Sequence, residues 1–326
     1  MRKILKPEIF KGSLKKNNYF EGWYFKHVSE NLRDVYAIIP GISLNEDHSH
    51  SFIQVINGIT GVTHYVSYPL KTFNWKSNRF LIEVGNSVFT DYYIDLDISD
   101  KDIEIKGKLE YTGITRFPVK MVSPGIMGWY AWIPFMECYH GIVSASHRIH
   151  GELHINAETV NFNGGKGYIE KNWGTSFPES WIWIQSNSFV NSDASLFISI
   201  AKIPWLGKFF IGFISFLYLD GKYYRFATYK NSKIESLARN GKEIQIRLRN
   251  HSYFLEVMVR SENTGELYAP LSGKMIRTIK ESIDSRLNIK LVDKKGNVLF
   301  NGSSKRTGLE FIDRIFEYFP EPENDS

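Results

Sequence analysis

The sequence predicts an all-β protein made of antiparallel strands, and three observations lead to this fold class. Period-two alternation of apolar and polar residues dominates the chain, which is typical of half-buried antiparallel strands. Turn dipeptides separate the alternating runs. Aromatic residues make up 15% of the 326 residues, with 23 Phe, 18 Tyr and 8 Trp, a load that favours strands and large apolar pockets over helical bundles.

The alternating runs follow one another along the chain. In order, they are DYYIDLDIS, DIEIKGKLEY, KEIQIRLRN, YFLEVMVRS and RLNIKLVD. The most apolar run, FFIGFISFLYL, is interpreted as a buried strand. Tight turns are predicted at Gly85-Asn86, Asp220-Gly221, Asn240-Gly241 and Gly296-Asn297, because these residue types adopt positive φ at low cost. Helical spacing is weak, and we expect only short helices, near residues 231–239 and in GLEFIDRIFEYF.

Length and a change in composition indicate two domains. A chain of 326 residues exceeds one average domain. A polar, Gly-bearing region at 145–166 follows an aromatic segment, so we predict an N-terminal domain of residues 1–150 and a C-terminal domain of residues 151–326. Each half carries one Glu-and-Trp signature near its start, FEGWYF and YIEKNWG, which a pseudo-repeat of two β domains would explain.

Charge and cysteine content exclude several functional classes. With 40 Lys+Arg against 35 Asp+Glu, the chain has no basic surface strong enough to indicate a nucleic-acid partner. One cysteine, Cys138, excludes an intrachain disulfide. A reducing compartment fits this content, and so does a cysteine-poor secreted protein. The first 20 residues have basic side chains but no uninterrupted apolar segment, so we do not expect them to act as a signal peptide. We therefore expect a cytoplasmic protein, with possible peripheral membrane contact through Trp205, Leu206, Phe209 and Phe210.

Residues 167–187, GYIEKNWGTSFPESWIWIQSN, hold the densest group of candidate site residues. We interpret them as two strands joined by a turn at 175–180, where Pro178 cannot donate to a ladder. Alternation places Glu170 and Asn172 on one face and Lys171 and Trp173 on the other. On the second strand, Trp181, Trp183 and Gln185 share a face and alternate with Ile182 and Ile184. An apolar pocket, core packing or a structural ion pair of Glu170 would each account for this pattern.

Two further segments combine acids with aromatic residues. FEGWYFK places Glu21 and Trp23 on one face and Tyr24 on the other, and GWYAWIPFMECYHG adds Trp129, Glu137 and His140. Burial disfavours the charged form of a carboxyl group and raises its pKa, so such a Glu can act as a general acid.

Other chemistries lack a motif. His48 and His50, or His150 and His154, could share strand faces, but neither pair has a third metal ligand nearby. The glycines of NFNGGKGY do not match a nucleotide-binding loop, and no G-x-S-x-G element is present. We expect no metal and no cofactor.

The chain resembles tocopherol cyclase and its bacterial relatives. The motifs that carry the resemblance are FEGWYFK, GWYAWIPFMECYHGIVS, YIEKNWGTSFPESWIWIQSN, DGKYYRF and LYAPLSG, in order over most of the chain. The resemblance implies two lipocalin-like antiparallel β domains, of barrel or sandwich form, with an apolar cavity and a fold-level relation to carotenoid hydratases.

The resemblance also implies a reaction, the cyclisation of a prenylated quinol to a chromanol. That reaction needs a buried proton donor, aromatic faces beside a carbocation and a slot for the isoprenoid tail. Candidate acids are Glu170, Glu137 and Glu21. Candidate ligand-binding residues are Trp23, Tyr24, Trp129, His140, Asn172, Trp173, Trp181, Trp183 and Gln185.

Three functions remain open at this point. The chain could be a cyclase, a hydratase that adds water to the same cation, or a carrier for a quinone, isoprenoid or other lipid. All three predict a small hydrophobic ligand, and the sequence leaves the oligomeric state open.

Overall fold

A computed structural model describes residues 3–319, and almost all of its regular structure is antiparallel strand. One sheet holds the strands β1 Tyr19–Val28, β2 Val35–Leu44, β3 His50–Asn57, β4 Thr63–Pro69, β5 Asn74–Trp75, β6 Leu81–Val84, β7 Ser87–Thr90, β8 Tyr93–Asp100, β9 Ile103–Thr115, β10 Cys138–Ile155, β11 Glu158–Asn161 and β12 Lys166–Gly174.

A second sheet holds the remaining strands. These are β13 Trp181–Ser186, β14 Ser195–Trp205, β15 Lys208–Leu219, β16 Lys222–Ala227, β17 Lys233–Asn240, β18 Glu243–Arg249, β19 Tyr253–Arg260, β20 Gly265–Leu271, β21 Lys274–Asp293 and β22 Val298–Phe311. Short 3-10 helices span Leu70–Thr72, Gly128–Trp132, Thr228–Lys230 and Asp313–Tyr318. None of the helices within residues 3–319 is long and apolar enough to cross a membrane.

The first sheet has the order β4-β3-β2-β1-β12-β10-β9-β8-β7-β6-β5, with β11 paired to β10. Strands β4 and β5 lie at its two ends, and no ladder joins them in the described part of the chain, so the sheet does not close into a barrel. The antiparallel pair of β1 and β12 lies in the interior of this sheet and joins segments far apart in sequence.

The second sheet has the order β16-β15-β14-β13-β22-β21-β19-β18-β17, with β20 paired to β21. The predicted turns occur where expected. Gly85-Asn86 joins β6 to β7, Asp220-Gly221 joins β15 to β16, and Asn240-Gly241 lies between β17 and β18. Gly296-Asn297 ends the loop that precedes β22.

The helix predicted near residues 231–239 is wrong, because strand β17 occupies this segment. The register of β17 on β18 shifts between Ile234 and Ser236, which marks a β-bulge. The extra residue of a bulge reverses the alternation, so Ile234 and Leu237 both pack on the hydrophobic core. The three-residue spacing of these apolar side chains, which suggested a helix, is therefore produced by a bulged strand. The helix predicted in GLEFIDRIFEYF is limited to the 3-10 turn Asp313–Tyr318.

Contacts within the chain divide it into two compact units. Unit 1 comprises Met1–Phe177 and Gly265–Ile279, and unit 2 comprises Pro178–Thr264 and Lys280–Ser326. The boundary predicted at residue 150 falls inside β10, which pairs with β12 in the first sheet. The pairing of β10 with β12 could not be predicted from sequence, because local alternation does not show which distant strands pair.

Each unit has its own hydrophobic core. In unit 1, Trp23, Phe25 and Ile169 belong to the core, so the odd-numbered side chains of β1 and β12 point into it. In unit 2, Ile182 and Ile184 belong to the core. The predicted alternation on β12 and β13 is confirmed, but the turn at 175–180 connects two sheets and does not form a hairpin.

Candidate functional site

The two Glu-and-Trp signatures lie on neighbouring strands of one sheet. In the β1–β12 register, Glu21 pairs with Trp173 and Trp23 pairs with Lys171. Strand β10 flanks β12 on its other side and places Tyr139 opposite Trp173. FEGWYF, YIEKNWG and the start of β10 therefore form one constellation in unit 1, whereas the sequence suggested equivalent positions in two repeated domains.

Glu21 lies on the core-facing side of this constellation and is completely buried. Its carboxylate accepts hydrogen bonds from the backbone N–H groups of Lys11 (2.7 Å) and Gly12 (2.9 Å) and from the hydroxyl of Tyr19. It also forms an ion pair with Lys171, which is equally buried. Both Glu21 oxygens are thus occupied by groups of the protein itself, and the observed contacts anchor the N-terminal segment.

Two further bonds fix the same segment. The indole Nε1–H of Trp23 donates to the Glu8 carbonyl at 2.7 Å, and the Lys171 ammonium donates to the Ile9 carbonyl. Backbone groups of residues 8–12 thereby gain partners on β1 and β12. The core-facing side of the constellation works as a clamp on the N-terminal segment.

The tryptophan faces on this side already hold a cation. The Lys171 ammonium lies 4.6 Å from the ring centre of Trp23 and 5.0 Å from that of Trp173. Trp173 also stacks on Tyr139 with ring centres 5.5 Å apart. Burial lowers the pKa of Lys171 to about 8, while the charge and hydrogen bond of Glu21 oppose the shift. A cation–π contact stabilises the ammonium form, so these rings serve Lys171 in this structure.

Glu170 lies on the opposite side of β12 and is also buried, with 4% of its side chain exposed. Its Oε2 accepts a hydrogen bond from the Tyr168 hydroxyl at 2.7 Å and lies 3.2 Å from His140 Nε2. The Asn172 amide donates to Oε1 at 3.4 Å. These contacts fix the carboxyl group, and one proton can be held between Glu170 and His140. This group, Glu170, His140, Tyr168 and Asn172, is hereafter the Glu170 site.

The register places two more residues on the same side of the sheet. Tyr24 pairs with Glu170, and Lys26 pairs with Tyr168, and both side chains are buried. On β10, Ile142 is opposite Glu170. Ile142 also contributes to the wall of a cavity of about 730 Å³ within unit 1, together with Phe80 and Phe117. Charged side chains, among them Arg79, Asp91 and Arg116, also line this cavity, and Glu170 itself does not.

The segment before β10 is exposed. Glu137 is exposed at the surface, and Trp129 is 47% exposed with its ring on that of Tyr130. Backbone contacts tie the segment to the site, since the Tyr139 hydroxyl donates to the Ile133 carbonyl and the His140 N–H to the sulfur of Met127. Glu137 lacks the burial that a neutral acid requires, which leaves Glu170 as the better placed carboxyl group.

The remaining predicted residues lie in unit 2. Trp181, Trp183 and Gln185 are buried on the side of β13 that faces away from the unit 2 core. The Trp181 indole donates to Glu310, and the Gln185 amide donates to Asn187 at 3.5 Å. Their predicted role in ligand binding stays a prediction.

Sequence reasoning missed two groups of buried polar residues. Glu281 and Glu310 pair in register on β21 and β22 and are 2% and 6% exposed. Glu310 could have been noticed in the sequence, because it is a single acid within the apolar segment GLEFI near the C-terminus. The pairing of the two strands had no local signal.

The other missed group is a pair of histidines in the core of unit 1. His27 Nε2 lies 2.7 Å from the Tyr111 hydroxyl, and His147 Nδ1 lies 2.9 Å from the Ser144 hydroxyl. Burial lowers the pKa of His27 to about 3, and burial with the nearby His27 lowers that of His147 well below its usual value. Gly167 leaves room for this ring, because a Cβ there would lie 2.1 Å from His147 Nε2. Both imidazoles are therefore neutral at pH 7.

Residues 99–311 match the family model described as tocopherol cyclase-like. A probable chloroplastic tocopherol cyclase of Oryza sativa subsp. japonica is 25% identical over 195 residues, which cover 56% of this chain and 41% of that protein. The chloroplastic tocopherol cyclase of Zea mays is 24% identical over 205 residues, 59% of this chain and 43% of its own. The matched region thus spans less than half the length of these relatives.

Two solved structures show the same fold at low identity. The crystal structure of CghA matches with a TM-score of 0.56 and 8% identity, over 90% of this chain and 88% of that one. A Nitrosomonas europaea protein described as an AttH matches with a TM-score of 0.50 and 12% identity, over 89% and 92% of the two chains. The predicted fold class, two lipocalin-like antiparallel β domains, is confirmed.

Proposed function

The chain belongs to the tocopherol cyclase-like family, and from this premise we propose that it is an enzyme that protonates an isoprenoid alkene, with a prenylated quinol as its substrate. The product would be the cyclised chromanol. The observation that carries the proposal is the Glu170 site, a buried carboxyl group hydrogen-bonded to an imidazole and a phenol.

The proposed reaction is an isomerisation in which the protein donates one proton to the substrate and takes one proton back. The proton held between Glu170 and His140 passes to the less substituted carbon of the alkene, and a tertiary carbocation forms. The neighbouring quinol oxygen attacks that cation and closes the ring. The proton released by this oxygen returns to the Glu170–His140 pair, so that no cofactor or co-reactant is consumed.

Each residue of the site has a distinct role in this scheme. Tyr168 and Asn172 hold the two carboxyl oxygens of Glu170 in place. His140 keeps 10% of its side chain exposed, which gives the proton-holding pair a route to a ligand. Positioned acids of this kind contribute about 10²- to 10⁴-fold to the rate.

The test is turnover of a prenylated benzoquinol by the purified chain, with chromanol measured by mass spectrometry. We expect Glu170→Gln to lower kcat by about 10²- to 10⁴-fold. Glu137→Gln is the matched control, because it makes the same chemical change at an exposed acid, and it should retain activity.

Other outcomes would contradict specific parts of the proposal. Equal turnover in Glu170→Gln and the unaltered chain would exclude Glu170 as the acid. Tight binding of the quinol without turnover by the unaltered chain would indicate a carrier. A hydrated product in place of the chromanol would indicate a hydratase.

A further inference from the structure

The β14–β15 hairpin of unit 2 carries large apolar side chains at its exposed end. Leu206 is 90% exposed, Phe209 is 48% exposed and Trp205 is 38% exposed. Ring contacts join Trp205 to Phe210 at 6.3 Å and Phe209 to Tyr318 at 5.3 Å. These residues, with Lys208, are hereafter the hairpin tip.

The hairpin tip extends beyond the neighbouring strands. On one side, β13 pairs with β14 only as far as Ala201, so Lys202–Trp205 continue past it. On the other side, β16 pairs with residues Ile214–Leu219 of β15, so Lys208–Phe213 have no partner from β16. At about 3.4 Å per residue, four residues extend about 13 Å. Beyond the neighbouring strands the tip is a two-stranded arm, and Tyr318 of the 3-10 helix Asp313–Tyr318 packs against its Phe209.

The turn at the tip is unusual in its residue choice. Leu206 and Gly207 have φ values of 47° and 76°, and the Asp220-Gly221 turn in the same unit has nearly the same values, 48° and 78°. Asp, Asn and Gly are the residues that favour a positive φ at low cost, and a branched apolar residue there is strained. Leucine at position 206 is thus unfavourable both for the backbone and for solvation.

The composition of the tip matches that of segments that enter a bilayer interface. Trp is enriched at the level of the lipid headgroups, and segments that lie in the interface bury Trp, Phe and Leu side chains there. Lysine can extend its ammonium to the headgroups while its alkyl chain stays apolar. The Lys202 ammonium lies 4.5 Å from the ring of Phe209, and Lys208 follows the turn.

We propose that the hairpin tip inserts into the surface of a lipid bilayer and holds the protein there. Leu206 enters most deeply, with Trp205 and Phe209 at the level of the headgroups. Glu179 is the shared partner of Lys202 and Arg314, and Lys208 is a third cation at the tip. Apolar burial drives binding to neutral lipid, and anionic lipid strengthens it.

The experiment is binding of the full chain to vesicles, measured by flotation, with phosphatidylcholine alone and with added phosphatidylglycerol. We expect the unaltered chain to bind both. Leu206→Asp should lower the partition coefficient about tenfold or more, because it replaces a buried apolar side chain with a charge. The variant matches the residue of the Asp220-Gly221 turn, so we expect the hairpin itself to remain folded.

Two further measurements make the test specific. Val122→Ser alters another exposed apolar residue, 81% exposed and located in unit 1, and should leave vesicle binding unchanged. Brominated lipid should quench the fluorescence of the unaltered chain more than that of Trp205→Phe. Absence of vesicle binding, or equal binding by Leu206→Asp, would overturn the proposal. A dimer that Leu206→Asp dissociates, without vesicle binding, would overturn it as well. None of these readouts depends on turnover.

Discussion

Glu170 and Lys171 are consecutive residues on opposite sides of β12, and their surroundings differ in kind. Lys171 lies between two indole rings and is paired with Glu21, and neither charged side chain is exposed at all. Glu170 is bonded to His140, part of whose side chain remains exposed. One side of the strand thus holds the N-terminal segment in place, whereas the other presents a carboxyl group in contact with an imidazole. A single motif, EKNWG, contains both.

The difference shows why burial and acidity alone do not identify a catalytic carboxyl group. Glu21 is more deeply buried than Glu170, but its partners include the backbone of residues 11 and 12 and the fully buried Lys171, whereas Glu170 is hydrogen-bonded to the partly exposed His140. We therefore expect changes on the core-facing side to cost mainly stability, and changes at the Glu170 site to cost mainly turnover.

The largest effect on stability is expected from Lys171→Met. The change leaves the Glu21 carboxylate buried without its cation, which should lower the free energy of unfolding by about 3–5 kcal/mol. Urea unfolding measures this quantity. The double variant Glu21→Gln with Lys171→Met removes both charges and should recover part of the loss. A loss below about 1 kcal/mol, typical of exposed ion pairs, would contradict the clamp interpretation.

Acid should destabilise the protein through the buried histidines on the core-facing side. Because the pKa of His27 falls from 6.5 in the unfolded chain to about 3 in the fold, the unfolded chain binds more protons between these pH values. The free energy of unfolding should therefore fall as the pH decreases through this window, by about 1.4 kcal/mol per pH unit for a single group. His147 shifts in the same direction.

Urea unfolding at pH 7 and pH 4 measures this loss. His27→Gln removes one titrating group and should show a smaller decrease than the unaltered chain between the two pH values. An identical decrease in both proteins would show that His27 does not carry the effect.

Alternation along a strand could be predicted from sequence, and the identity of its partner strand could not. Glu170 and Lys171 were correctly assigned to opposite faces, because side chains in any strand alternate. That FEGWYF pairs with YIEKNWG depends on a register between residues about 150 positions apart. The same limit explains the domain boundary, which was expected inside what is now β10.

Burial of a single acid was equally hard to predict. Glu137 and Glu170 both follow aromatic or apolar neighbours in sequence, but Glu137 precedes β10 in an exposed segment and Glu170 is inside β12. The turn residues, by contrast, were informative because backbone φ at a two-residue hairpin restricts residue type directly.

The smallest effect, and the most direct comparison of the two sides, is expected from a matched pair of tyrosine changes. The Tyr168 hydroxyl donates to Glu170, and the Tyr111 hydroxyl lies at the same distance, 2.7 Å, from His27 Nε2. Both tyrosines are buried. Tyr168→Phe and Tyr111→Phe each remove one buried hydrogen bond, which should lower the free energy of unfolding by about 0.5–1.5 kcal/mol in both cases.

Only Tyr168→Phe should alter turnover, because only that hydroxyl positions the Glu170 carboxyl group. A net hydrogen bond of about 1 kcal/mol corresponds to roughly a fivefold decrease in kcat, with KM unchanged because the substrate itself loses no contact. Steady-state kinetics measures the effect of each variant on turnover, and the urea midpoint measures its effect on stability. The two measurements together separate the catalytic from the structural contribution of each hydroxyl. Equal kcat values for the two variants would show that the Tyr168 hydroxyl contributes only to stability, and the two sides of the sheet would then not differ at this position.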